Sequence, residues 1–101
     1  MSSGVQRIMN GSYTGTGVAF NVRTVGFRPR MVELMNEDGL TRCVWTNSMA
    51  DAALFKTVNH DTAQNAWVTA NGITPLSDGF TVGTDADINT DTEKVYWVAY
   101  E

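Results

Sequence analysis

Turn-forming residues recur about every ten positions along this chain, and no other feature restricts its folding so tightly. They fall at Asn10-Gly11, Gly15 to Gly17, Gly26 to Pro29, Asp38-Gly39, Asn47-Ser48, Asn59 to Asn65, Asn71-Gly72, Asp78-Gly79 and Gly83 to Asp91. Each cluster supplies residues that tolerate positive φ or bond their own backbone. Short strands at such a spacing mark a sandwich or barrel. The expected fold is therefore all-β: one antiparallel, jelly-roll-like β-sandwich of about seven or eight short strands, filling residues 1–101 as a single domain.

Between the turns, apolar side chains alternate with a period of two, as a strand with one buried face requires. Val18, Phe20 and Val22 share a face, as do Val32 and Leu34, and Asp38-Gly39 joins the latter strand to Thr41–Trp45 as a hairpin. Phe80 and Val82 point inward after the Asp78-Gly79 turn. The last strand has no polar side: Val95, Trp97 and Ala99 face one way, Tyr96, Val98 and Tyr100 the other. Such a strand is expected at the centre of a sheet or beneath a partner. Met49 to Val58 fits helix and strand patterns equally and reads as irregular or a short helix.

The chain is 43% hydrophobic and carries a net charge of −4, split as +2 over residues 1–50 and −6 over 51–101. An acidic chain is poorly equipped to neutralise phosphates, so no nucleic-acid partner is expected. A polarised chain can instead meet copies of itself or a partner through unlike patches. No apolar run approaches a membrane span, and the start lacks the basic-then-apolar design of a signal peptide, so no membrane partner is expected. The single cysteine, Cys43, cannot close an intramolecular disulfide, which suits synthesis in a reducing cytoplasm.

Catalytic chemistry finds little support. Cys43 lies within the strand Thr41–Trp45 and reads as a small buried hydrophobe, while His60 sits in the polar run Asn59–Thr62 and reads as a surface loop. One Cys and one His cannot supply a zinc site, and the glycines of Gly11–Gly17 precede a strand where a phosphate loop would precede a helix. No catalytic residue and no cofactor is expected. Asp85, Asp87, Asn89 and Asp91 alternate as calcium ligands do, but Thr90 stands where the sharp turn wants Gly, and Tyr96 where a bidentate Glu belongs. A solvated acidic loop without metal is the preferred reading. Trp45, beside Thr46-Asn47-Ser48, and Trp67, close to Asn65, have the surroundings of sugar-stacking rings, although rings at strand positions usually fill cores or interfaces.

The run Gly11-Ser12-Tyr13-Thr14-Gly15-Thr16-Gly17, an alternating strand and Gly26-Phe27-Arg28-Pro29 are followed by Trp45-Thr46-Asn47-Ser48-Met49 and Asp78-Gly79-Phe80-Thr81-Val82-Gly83. With Asn89 and the ending Tyr96-Trp97-Val98-Ala99, this order resembles a small β-sandwich domain of tailed-bacteriophage virion proteins, over residues 11 to 100. These are fold residues: Gly26 suits positive φ, Phe27 can plug a core end, and Pro29 suits the start of a strand. The resemblance thus implies a scaffold more than a site.

Similar domains look like modules of tail fibres and tail tips, and similar small sandwiches serve as head-decoration, or cement, proteins. The resemblance implies a virion structural protein at the capsid surface, made in the bacterial host cytoplasm. With no stalk, coiled coil or attachment segment in the sequence, decoration is favoured over a fibre fragment. Its partners would be the major capsid protein, whose shell it binds and stabilises, and copies of itself in a symmetric homo-oligomer. Arg23, Arg28 and Arg30 are then candidate contacts to acidic coat surfaces. The alternative is a tail-fibre or tail-tip component that binds host glycans through Trp45 or Trp67.

Overall fold

Period-two burial shapes the strands as elementary sheet geometry requires: Val32, Leu34, Cys43, Trp45, Val95, Trp97 and Ala99 are buried while their neighbours in sequence face outward. A computed structural model describes residues 6–58 and 65–101. Its strands are β1 (Ile8–Thr14), β2 (Phe20–Val22), β3 (Met31–Asn36), β4 (Thr41–Thr46), β5 (Ala53–Val58), β6 (Asn65–Leu76), β7 (Gly79–Val82) and β8 (Lys94–Tyr100), with one helical turn, α1 (Ala86–Asn89). The fold is all-β. The eight strands form one antiparallel sheet in the order β1-β8-β3-β4-β5-β6-β7-β2, curled into a sandwich-like half-barrel.

The topology itself demands the curl. β1 and β2 are consecutive in the chain yet occupy opposite edges of the sheet. Laid flat, eight strands at about 4.8 Å spacing would hold those edges about 33 Å apart. The link from Thr14 to Phe20 reaches about 20 Å at most. The edges meet where the Tyr13 and Phe20 rings stack edge to face, 5.1 Å between centroids, and the Tyr13 hydroxyl donates to Ile88 O at 2.7 Å.

Asn89, 1% exposed, locks this seam. Its Oδ1 accepts from Thr16 N (2.7 Å) and Gly17 N (3.2 Å), while its Nδ2 donates to Val18 O (2.9 Å) and Gly83 O (2.8 Å). One buried amide thus fills its hydrogen-bonding capacity and ties the β1–β2 link to the β7–α1 turn.

A bulge in β6 supplies further bending. Leu54 pairs with Val68 but Ala53 with Ile73, so the register shifts, with Asn71 at φ 66° inside the bulge. Gly72 is needed there, because a Cβ would lie 2.4 Å from Ala53 O. The β2–β3 link burial alternates too: Val25, Phe27 and Pro29 are buried, and Thr24, Gly26, Arg28 and Arg30 are exposed, with Gly26 at φ 88°. The core gathers Trp45, Phe80, Trp97, Leu34, Leu54, Ile73 and Ile88, and the Phe80 and Trp97 rings meet at 5.4 Å.

The β3–β4 hairpin, the inward Phe80 and Val82, and the interior place of β8 agree with the sequence. Four readings need correction. Asn10-Gly11 lies within β1, paired with Val98 and Trp97, and forms no turn. Met49 to Val58 is neither irregular nor helical throughout: after a turn containing Ala52 at φ 68°, β5 pairs with both β4 and β6. Asn71-Gly72 is a bulge within β6 and not a turn between strands. Val18 precedes the three-residue β2 and is 68% exposed, so it does not share the buried face of Val22.

Replacing Asn89 by Ala strands Thr16 N and Gly83 O at the seam, while Gly17 N keeps its bond to the backbone carbonyl of residue 89 and Val18 O keeps the one from Thr16 Oγ1. Urea unfolding should register a loss of about 3 kcal/mol. Asn89→Asp should not restore it, because the donors to Val18 O and Gly83 O are still missing.

Candidate functional site

Register sorts the side chains into an interior charged cluster and an outward apolar face. Lys56, opposite Cys43 in the β4–β5 ladder, turns inward and its side chain is only 12% exposed. Its Nζ donates to Asp85 Oδ1 and Oδ2 (3.2 and 3.1 Å) and to Asp87 Oδ2 (2.7 Å). Burial opposes the Lys56 charge, but bonds to the two carboxylates outweigh it and raise the ammonium pKa. Its stabilising contribution is therefore complete below the ordinary lysine pKa and is lost as pH rises through the raised folded value. Cys43 is pushed up to about 12, first by burial and then by the charges of Asp85 and Asp87.

The acidic run is organised, not a loose loop. Asp85 caps α1 by accepting from Asp87 N at 2.9 Å, and Lys56 holds the position between Asp85 and Asp87 that a cation would take. The Asn89 oxygen is committed to Thr16 and Gly17, and Asp91 is exposed. A neighbouring hollow of about 390 Å³ is lined by Asp38, Gly39, Ala86, Asp87, Thr90 and Glu93. Its carboxylates are engaged: Asp38 by Lys94 N, Asp87 by Lys56 and Glu93 by Asn36 Nδ2. Among the described residues no group of three or more His, Cys, Asp or Glu is placed to hold a metal ion.

The two tryptophans separate. Trp45 is 1% exposed and its Nε1 donates to Ala50 O at 3.1 Å, which corrects the reading of it as a stacking ring for sugar. Trp67 is 59% exposed and lies against Phe55, with centroids 6.1 Å apart. Arg23, Arg28 and Arg30 are all exposed in the β2–β3 link, and Arg23 pairs with Asp78 at 2.8 Å. His60 lies outside the described residues.

Cross-strand pairing carries the exposed ring of Trp67 into a larger surface. Trp67, Phe55, Val44, Glu33, Val98 and Asn10 form one outward row, and Thr57, Arg42, Met35, Tyr96 and Ser12 the next. Phe55, Met35 and Tyr96 are exposed, whereas Val44 and Val98 are half-buried. An ion pair crosses this surface: Arg42 pairs with Glu33 between the Trp67, Phe55 and Val44 group and the Met35, Tyr96 and Val98 group, while Tyr100 donates to Glu33 and Tyr96 to Glu37. Arg42 and then Tyr100 hold the Glu33 carboxyl below the usual range, so its contribution is present above the unfolded pKa and lost as pH falls through the folded one. Sequence reading missed Phe55 and Met35, and the signals of this face in the sequence are Trp67 and the doubly apolar β8.

Two outcomes follow. Iodoacetamide should alkylate native Cys43 about a thousandfold more slowly than the unfolded chain at the same mildly alkaline pH. Lys56→Met should cost about 3 kcal/mol at neutral pH in urea unfolding, because it leaves the Asp85 and Asp87 carboxylates without their cation. Comparison of the chain with protein-family models, curated proteins and solved structures finds no match to any of them.

Proposed function

We propose that the protein is a non-catalytic binding module, a bacteriophage virion structural protein that decorates the capsid and stabilises the shell of its major capsid protein. The observation that carries this reading is the outward face of the inner strands, where Trp67, Phe55, Met35 and Tyr96 stand exposed beside half-buried Val44 and Val98. Exposed apolar side chains on both sides of a paired charge, here Arg42 and Glu33, are the mixed composition usual in a protein contact. The ordered set of turns and aromatics shared with small virion sandwiches supplies the kind of assembly. Arg28 and Arg30 supply positive charge for an acidic coat surface. Repetition over a symmetric shell multiplies a modest contact into firm attachment.

The exposed Trp67–Phe55 pair also favours a second reading, a tail component that stacks this indole on a host glycan. Quantitative proteomics of purified particles separates the two. Decoration requires a copy number comparable to that of the coat subunit, and a few copies per particle would favour the tail. Trp67→Ala should weaken binding to undecorated particles about thirtyfold, equivalent to about 2 kcal/mol, with the unfolding midpoint nearly unchanged. Glycan-array binding abolished by the same substitution would support the tail reading.

A further inference from the structure

The two edges of the sheet differ in how they are guarded. β2 offers three residues and is followed by the Arg23–Asp78 ion pair. β1 runs for seven residues without a charge, a proline or a bulge, so it lacks the devices that usually prevent strand-to-strand association.

Its ladder phase shows which backbone groups are spare. Glu101 N donates to Arg7 O and Gly15 N to Glu93 O, at the two ends of the β1–β8 pairing. These are hydrogen-bonded positions, and the period of two places Met9, Gly11 and Tyr13 in the same phase. Ile8, Asn10, Ser12 and Thr14 therefore aim their N–H and C=O groups away from β8. Among the described residues no other group bonds to them.

We propose that β1 pairs antiparallel with β1 of a second copy of this chain, about a two-fold axis at Gly11. In that register Ile8 faces Thr14 and Asn10 faces Ser12, so the outward-aimed groups of all four meet matching groups on the partner. The opposed side chains are β-branched with β-branched and amide with hydroxyl. No like charges meet, because Arg7, the nearest charge, opposes Gly15 and is already bonded to Glu101. Self-pairing uses the whole strand, whereas pairing with β2 of a second copy would use three residues. The inference concerns the backbone edge of β1, where the outward rows end in Asn10 and Ser12, and it does not depend on what the apolar side chains of that face contact.

Sedimentation equilibrium of the full chain tests it by charge exchange. A chain carrying Asn10→Lys and Ser12→Lys and one carrying Asn10→Glu and Ser12→Glu should each dissociate on the order of tenfold more readily than the wild type, because like charges then oppose across the axis. Mixing the two should restore a heterodimer. The substituted side chains are exposed and the backbone is unaltered, so each variant should keep the wild-type circular dichroism. Asn10→Pro, which removes an outward N–H only, should also give monomers. A wild type that stays monomeric at near-millimolar concentration overturns the proposal, as does a dimer that persists in both charge variants or a mixture that fails to associate.

Discussion

Four hydrogen bonds from the side chain of Asn89 hold the most demanding part of this fold. The chain must bring opposite edges of an eight-stranded sheet within the reach of a short link, leaving backbone groups of that link and of the β7–α1 turn beside the core. Buried peptide groups without partners are costly, and a single carboxamide, with two donors and a bidentate acceptor, satisfies several at once. Asn36 does similar work nearby: its Oδ1 accepts from Asp38 N and Gly39 N, while its Nδ2 donates to Asp87 O and Glu93 Oε1. Both amides are buried, so the acidic segment is ordered by interior amides as well as by Lys56.

Charge and apolarity have exchanged their customary places in part of the molecule. Lys56 and its two aspartates lie inside one end of the curl, while indole, phenyl and thioether groups stand outside. The ion cluster places α1 against the sheet, and its two aspartates add to the burial that raises the pKa of the neighbouring Cys43. The outer apolar groups do nothing comparable for the fold, since the core closes beneath them on Leu34, Cys43, Leu54 and Trp97.

Strand-scale features were legible in the sequence because they depend on neighbours in the chain. Alternation at Val32 and Leu34, the Asp38-Gly39 hairpin and the two apolar sides of β8 required no knowledge of distant contacts. Asn71-Gly72 and Met49 to Val58 misled because their conformations are decided by pairing partners: the bulge exists only against Ala53 and Leu54, and β5 only between two other strands. Trp45 and Trp67 have similar polar neighbours in sequence, and only the pleat of their strands sends one inward and the other out. The outward apolar face was visible in Trp67 and in Tyr96 and Val98, and its other members, Phe55 and Met35, come from separate strands. Asp85 and Asp87 had ligand spacing but found their cation in a lysine some thirty residues earlier.

The pairing of β1 with β8 also sets a temporal order. Ile8 must find Tyr100, so the first strand made waits for the last. During synthesis β3, β4, β5, β6 and β7 can assemble through contacts between neighbours in sequence, each closing a comparatively short loop. β1 has no sheet partner until β8 emerges, and closing a loop of nearly the whole chain is the slow kind of step in β topologies. The nascent chain therefore carries an unpaired, uncharged strand throughout translation, which makes the speed of the final docking step, rather than native stability alone, a determinant of how much protein escapes aggregation.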